Sequence, residues 1–249
     1  EGLCMGVKIN QNLSKDEVLR RPNKHWLYDY LHTDEIQYGL NLDHDHNAHE
    51  FFLGRLAMRQ TLHYLTCKEN VNGGMYNLGP NSSNQTNEYS AILKDDYGRP
   101  TVPKGFLGSI SHKRSTAVAL VQADKSNCVE MQKDMKGVGV DIEDIRKTRI
   151  AKRVLTSTEL IDLGNLASVS EEEEVLLRFS LKESVYKAIH PIVNQYVGFQ
   201  EGEVTPFDDG TAKVRLLLKD ADSDSLEVSA HWRKVDGRFF LTSASAKQN

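Results

Sequence analysis

A long helix with both ends marked limits the folds that this 249-residue chain can adopt. Ser170 and Glu173 form a capping box at its start, and the glutamates at 171–174 place negative charge in its first turn. The pattern predicts that the helix ends near His190, because Pro191 cannot continue the hydrogen-bond ladder. The chain therefore needs a layer on which a helix of about six turns can pack.

This predicted helix has two different faces. Glu183 and Lys187 lie one turn apart on a charged face, and Lys182 is their basic neighbour. A second face is apolar with the same four-residue spacing, which indicates that it packs on a core. The apolar face consists of Leu177, Leu181 and Val185.

The stretch Val138–Glu143 predicts a strand upstream of the helix. Because strand side chains alternate, Asp141 and Glu143 point to the same side. Taken alone, such a pair is more often a solvated face, and the charged helix face is more often a set of exposed ion pairs. Together with Glu183, however, the two carboxylates predict a hard-cation site beside phosphate, with Mg²⁺ as the metal.

The remaining elements give the same order of helix and strands in both parts of the chain. Apolar spacing predicts an amphipathic helix over His49–Leu65, and Gly105–Val121 predicts one or two strands broken near Ser111 and His112. This order favours two similar α+β halves over a doubly wound parallel sheet. Three further strands are predicted after the long helix, over Lys213–Leu218, Leu226–Trp232 and Arg238–Ser243, the last two joined at Asp236-Gly237.

Composition excludes several classes of protein. The net charge of −4 argues against bulk binding to nucleic acid or an anionic membrane, and no apolar run reaches the ~18 residues of a membrane span. The three cysteines have no CxxC spacing, so a reducing compartment is expected. We expect a cytoplasmic protein. An organellar location stays open, because the sequence begins at Glu1 without a methionine.

Four motifs resemble those of the Sfp-type 4′-phosphopantetheinyl transferases, in the order found in the subgroup of enterobactin-pathway enzymes. They are G-R-P-x-x-P-x-G (98–105), G-S-I-S-H-K (108–113), G-V-G-V-D-I-E (137–143) and F-S-L-K-E-S-V-Y-K-A (179–188). The resemblance covers roughly residues 50–199. The tryptophan common at the head of the last motif is a phenylalanine here, which keeps the apolar character.

The resemblance implies an enzyme that transfers the phosphopantetheine arm of coenzyme A to a serine of an acyl or peptidyl carrier protein. The carrier serine would attack the β-phosphate, and 3′,5′-ADP would leave. Fatty acid, polyketide and nonribosomal peptide synthesis all use such carriers, and the sequence does not choose among them. A non-catalytic module that binds coenzyme A or carrier domains is the alternative.

The resemblance also implies the architecture. Each half, residues 1–125 and 126–249, would be an antiparallel sheet packed on a long helix. The halves would be related by a pseudo-twofold axis, with coenzyme A in the cleft between them. The length favours a monomer, because the short members of the family must assemble to build the same cleft.

By the same resemblance, Asp141, Glu143 and Glu183 would bind Mg²⁺. The base that takes the serine proton would be Glu183 or a metal-bound hydroxide. Lys187 would contact phosphate and offset the charge of the leaving group, with Lys182 assisting.

The nucleotide end of coenzyme A would be bound upstream. Ser111 and His112 would hold the 3′-phosphate, and Arg55 and Arg99 the other phosphates or the adenine face. The subgroup often carries an arginine several residues before the G-R of its first helix. That G-R matches Gly54-Arg55 here, but residues 47–49 are Asn-Ala-His. One phosphate contact is therefore in doubt.

Three further segments carry weaker hypotheses. The pattern D-H-D-H-x-x-H over residues 43–49 suggests a transition-metal hydrolase, but a solvated loop is the ordinary interpretation. Residues 69–90 predict a long loop, and its sequons at Asn81 and Asn84 are interpreted as unglycosylated. A basic patch for an acidic carrier is predicted at Lys147, Arg149, Lys152 and Arg153.

Overall fold

Two compact units, Glu1–Ala123 and Asp124–Asn249, make up the computed structural model of the chain. The structure describes residues 2–8, 13–21, 25–70, 90–124, 135–146, 148–219 and 223–248. The predicted boundary after residue 125 and most of the predicted loop, with both of its sequons, lie outside these residues. Among the described residues, no helix is long and apolar enough to cross a membrane.

The first unit is an antiparallel sheet of three strands with a long helix. Its elements are β1 (Gly2–Lys8), α1 (Lys15–Arg20), α2 (Thr33–Leu40), α3 (Asp45–Asn70), β2 (Phe106–Lys113) and β3 (Thr116–Ala123), with a 3₁₀ turn at Trp26–Asp29. The strand order is β1-β3-β2. On α3, Leu53 and Ala57 form one apolar cluster with Ala119 and Val121 of β3.

Three details of this unit differ from the sequence predictions. Helix α3 begins at Asp45 and ends at Asn70, four residues earlier and five later than predicted. The strand break lies at Arg114, which has a φ of 55°, and not at Ser111 and His112. The sequence predictions did not include strand β1, although Leu3, Met5 and Val7 alternate along it.

The second unit is a five-stranded antiparallel sheet with its own long helix. Its elements are β4 (Lys136–Asp144), α4 (Ala151–Val154), α5 (Ser157–Ile161), α6 (Glu171–Val193), β5 (Gly202–Pro206), β6 (Thr211–Leu216), β7 (Leu226–Val235) and β8 (Phe239–Gln248), with 3₁₀ turns at Phe199–Glu201 and Ser223–Ser225. The strand order is β4-β8-β7-β6-β5. An antiparallel sheet and a long helix in each unit confirm the predicted α+β class.

Helix α6 confirms the predicted start but corrects the predicted end. The capping box forms at Ser170, and Leu177, Leu181 and Val185 are buried in the core of this unit. The helix continues past Pro191 to Val193 and ends at Asn194, which has a φ of 50° and donates its N–H to the carbonyl of His190. Proline removes one backbone donor, and here that loss is confined to the last turn.

The hairpin between β7 and β8 turns at Asp236 and Gly237, as predicted, with φ angles of 53° and 62°. We expect Gly237→Ala to lower the free energy of unfolding by about 1 kcal/mol, because alanine resists positive φ. Gly237→Asn should lose less, since asparagine tolerates this conformation. Denaturant unfolding of both variants checks this, and equal losses would contradict it.

Candidate functional site

A group of acidic and basic side chains lies where β4 packs against α6. Asp141 on β4 is 5% exposed. Its Oδ2 accepts a hydrogen bond from Ser180 Oγ at 2.8 Å, and its Oδ1 accepts one from Lys187 Nζ at 3.0 Å. Lys187 Nζ also donates to the carbonyl of Val140 at 2.9 Å. The alternation of β4 and the helical repeat of α6 thus bring two of the predicted site residues into contact.

Two further carboxylates belong to this group. Glu143 lies two residues beyond Asp141 on the same strand face and is buried, and Glu183 precedes Lys187 by one turn. The pKa of Glu183 is raised, mainly because it is buried and also because the negative charges of Asp141 and Glu143 act on it. The Lys187 ammonium opposes this shift. The group is therefore rich in negative charge, which a bound cation would offset.

The carboxylate oxygens of this group suit a hard divalent cation whose remaining ligands come from water or a substrate. Among the described residues, no three His, Cys, Asp or Glu side chains already surround a common metal position. Mg²⁺ does not need such a cage, because it is usually held by one or two carboxylates together with substrate phosphates and water. The electrostatic repulsion of Glu183 by Asp141 and Glu143 is consistent with a cation site that has only oxygen ligands and that a phosphate would complete.

Ser180 links the carboxylate group to the sheet, and the sequence analysis did not single it out. Its Oγ lies 3.0 Å from Thr242 Oγ1, and Thr242 Oγ1 donates to the carbonyl of Ser180 at 2.8 Å. All of these polar atoms are buried. The serine stands one turn before Ser184 in the last motif, but a helical serine is commonly bonded to its own helix, so the pattern gave no signal.

We expect Ser180→Ala to weaken Mg²⁺ binding about tenfold and to lower the free energy of unfolding by about 1–2 kcal/mol, because Asp141 loses a buried orienting donor. Ser184→Ala is the matched control, since Ser184 Oγ donates to the carbonyl of Leu181 within the same helix. Calorimetric titration with Mg²⁺ measures the difference. Equal metal affinities in the two variants would contradict the role of Ser180.

Lys182 is turned away from this group. Its Nζ is buried and donates to Glu159 Oε2 at 2.6 Å, to the carbonyl of Phe199 at 2.7 Å and to the carbonyl of Val154 at 2.8 Å. These acceptors use all three N–H groups of the ammonium. Lys182 therefore ties α6 to neighbouring segments, and we leave it out of the proposed coenzyme A site.

A largely apolar cavity opens beside Glu183 within the second unit. It encloses about 620 Å³ of empty space, its open mouth included. Tyr186 and Ile189 of α6 form one wall, and Val204 and Leu216 of the sheet form another. An extended substituent on a phosphate held near Glu183 could enter this cavity.

The predicted nucleotide-binding residues of the first unit lie on β2, α3 and one turn. His112 is 41% exposed, and its Nδ1 lies 3.2 Å from Glu50 Oε1. Ser111 is buried on the opposite face of the strand. Arg99 donates from Nε to Asp95 Oδ2 at 2.6 Å and lies over the exposed ring of Tyr97.

Arg55 is a buried cation with one donor left over. Its Nε donates to the carbonyl of Ile92, and its guanidinium lies 4.2 Å from the centre of the Phe51 ring. Burial lowers the pKa of Arg55 to about 10. Its Nη2 has no hydrogen-bond partner within the part of the chain that the structure describes. The negative charge of Glu35 opposes the effect of burial, and an anion would satisfy the remaining donor.

The histidine-rich segment does not form a metal cluster. Residues 45–49 belong to the first turn of α3 and not to a loop. His49 is buried, and its Nδ1 accepts from the N–H of Leu13 at 3.0 Å. His46 Nε2 lies 3.1 Å from Glu50 Oε1. With no cluster of metal-ligating side chains among the described residues, the hydrolase hypothesis has no support.

Comparison with known families connects both units to one enzyme class. A model of the 4′-phosphopantetheinyl transferase superfamily matches residues 137–240. A model of the 4′-phosphopantetheinyl transferase N-terminal domain matches residues 81–122. The two matches include the carboxylate group of the second unit and His112 of the first.

Three curated relatives match parts of this chain. The chain is 27% identical over 122 residues to 4′-phosphopantetheinyl transferase PptT of Mycobacterium tuberculosis, covering 48% of this chain and 50% of the relative. It is 33% identical over 126 residues to enterobactin synthase component D of Salmonella typhi, covering 49% and 48%. The chain thus spans about half the length of these two relatives. It is 37% identical over 83 residues to the holo-[acyl-carrier-protein] synthase of Lactobacillus johnsonii, covering 30% of this chain and 69% of the relative.

Proposed function

The chain belongs to the 4′-phosphopantetheinyl transferase superfamily, and on that premise we propose that it transfers the phosphopantetheine arm of coenzyme A to a serine of a carrier protein. One observation carries the proposal. The two motifs of the second unit, which are distant in sequence, meet as one group with Asp141 bonded to Lys187 and with the pKa of Glu183 raised by its burial and by the charges of Asp141 and Glu143. Such a group suits a metal-assisted reaction at a pyrophosphate.

In this proposal, Asp141, Glu143 and Glu183 hold Mg²⁺, which supplies charge neutralisation on the pyrophosphate oxygens when bound. Lys187 donates two of its N–H groups to acceptors in the described part of the chain, and we assign its third N–H to a phosphate oxygen. Glu183, one turn before Lys187 on the same helix face, is the proposed acceptor of the proton of the carrier serine.

The bond changes are those of a single phosphoryl transfer. The serine oxygen forms a bond to the β-phosphorus, and the bond from that phosphorus to the bridging oxygen breaks. The electron pair leaves with 3′,5′-ADP, and Lys187 offsets its growing negative charge. The arm itself can lie in the cavity lined by Tyr186 and Leu216.

The first unit would bind the nucleotide end of coenzyme A. Arg55 has a buried donor that an anion would satisfy, and His112 is accessible to a phosphate. Arg99 and its neighbour Tyr97 offer a cation and an aromatic face to the adenine or a phosphate. Ser111 is proposed with them, through its hydroxyl or its backbone.

The carrier protein is the proposed macromolecular partner. Arg149, Lys152 and Arg153 are exposed and would attract an acidic carrier despite the net charge of −4. The fourth predicted member, Lys147, lies outside the described residues. We further propose that the protein acts as a monomer in the cytoplasm and binds neither nucleic acid nor membranes.

The test is whether 3′,5′-ADP forms when the chain is mixed with coenzyme A, Mg²⁺ and an apo carrier protein. Chromatography measures this nucleotide. The nucleotide should appear in proportion to carrier, and it should be absent with a carrier whose acceptor serine is alanine. Tight coenzyme A binding without nucleotide release from any of several apo carriers would favour the non-catalytic module instead.

A further inference from the structure

Glu50 holds a position in the first unit that none of the four motifs assigns. It lies on α3, its side chain is 20% exposed, and its Oε1 faces two imidazoles. His46 Nε2 is 3.1 Å away on the same helix, and His112 Nδ1 is 3.2 Å away on β2. One carboxylate oxygen thus connects the helix to the strand that carries the proposed phosphate-binding histidine.

The close approach of α3 to β2 places Glu50 near His112. Gly54 follows Glu50 by one turn, and a Cβ at Gly54 would lie 2.8 Å from Cγ2 of Ile110. The helix therefore approaches the strand closely at this point. Because Ile110 and His112 share one strand face, the same approach brings Glu50 next to His112.

An accessible imidazole needs orientation before it can bind a phosphate. The ring torsion of histidine is broad, and His112 is 41% exposed. A carboxylate at Nδ1 favours one orientation of the imidazole ring over the other. Orienting carboxylates of this kind support many functional imidazoles.

We propose that Glu50 is a positioning residue that orients His112 toward the 3′-phosphate of coenzyme A. This inference rests on the proposed function and on the assignment of His112 within it. Glu50 does not touch the ligand and acts through the imidazole. Its own negative charge would repel a phosphate, so electrostatic repulsion alone predicts the opposite effect of removing it.

Calorimetric titration with coenzyme A and with 3′-dephospho-coenzyme A tests this inference. The ratio of the two Kd values measures how strongly the 3′-phosphate is recognised. Glu50→Ala should lower this preference about five- to tenfold by weakening coenzyme A binding, while the Kd for the dephospho compound changes less than twofold. A preference that is unchanged or increased would overturn the proposal, as would an equal loss for both ligands.

Two controls separate positioning from other effects. Asp34→Ala removes another carboxylate of the same unit that lies 3.6 Å from an imidazole, that of His32, and should leave the preference unchanged. In the His112→Ala background, Glu50→Ala should have no further effect on the preference. A similar loss in Asp34→Ala, or a further loss without His112, would overturn the inference.

The wild-type protein separates this inference from the function on which it rests. If it binds neither nucleotide, the proposed function itself fails. If it binds both with the same Kd, the proposed recognition of coenzyme A is supported. The proposed roles of His112 and Glu50 at the 3′-phosphate are then both wrong.

Discussion

Glu183→Gln is expected to lower kcat/KM for transfer to the carrier by about 10²- to 10³-fold. Glutamine keeps the shape of the side chain but can neither accept the serine proton nor carry the charge that a metal would bind. The loss should appear mainly in kcat, because the proposed contacts of Arg55 and His112 with the nucleotide are untouched. Steady-state kinetics with varied coenzyme A measures both parameters.

The free energy of unfolding of Glu183→Gln should not fall with its activity. Glu183 is half-buried, and its burial and the charges of Asp141 and Glu143 raise its pKa. Its ionised form is therefore disfavoured in the folded state, so without Mg²⁺ at neutral pH the neutral glutamine should unfold no more easily than the wild type. If Glu183→Gln lost activity and stability together, the loss of activity would reflect misfolding and the proposed role would be unsupported.

Gly139→Ala is expected to destabilise the second unit by about 3 kcal/mol or more, at the upper end of overpacking effects. An added Cβ would lie 1.8 Å from the carbonyl oxygen of Ser184 and 2.8 Å from the N–H nitrogen of Ala188. Both are backbone atoms of α6, so no side chain can rotate to make room. The strand must move from the helix, which would also separate Asp141 from Lys187.

Gly202→Ala is the matched control for this prediction. It is a strand glycine of the same unit, at the start of β5, and the nearest atom to an added Cβ is 3.9 Å away. Its free energy of unfolding should change by no more than about 0.5 kcal/mol. Urea denaturation of both variants decides the matter, and comparable midpoints would show that β4 and α6 do not pack this closely.

Local patterns in the sequence were sufficient to predict those parts of the fold that depend on residues close together in the chain. The capping box at Ser170 and the four-residue apolar spacing of α6 were both correct, because each depends on residues within one or two turns. The alternation along β4 correctly gave Asp141 and Glu143 a common face. The predicted end of α6 was wrong, because a proline at position 191 is compatible with a helix that ends two residues later.

Contacts between distant residues could not be read from such patterns. Lys182 was assigned to the coenzyme A site by the family resemblance, yet its three acceptors lie on segments up to 28 residues away. The bond from Ser180 to Asp141 spans 39 residues. Only the folded chain shows that Glu50 faces His112, since a helix and a strand 62 residues apart must pack together first.

The transferase activity itself is tested most directly by the intact mass of a purified apo carrier protein after incubation with this chain, coenzyme A and Mg²⁺. We expect a gain equal to one phosphopantetheine arm, which disappears when a chelator is added or when Glu183→Gln replaces the wild type. An unchanged carrier mass, together with no stabilisation of the wild-type protein against heat by coenzyme A, would contradict it.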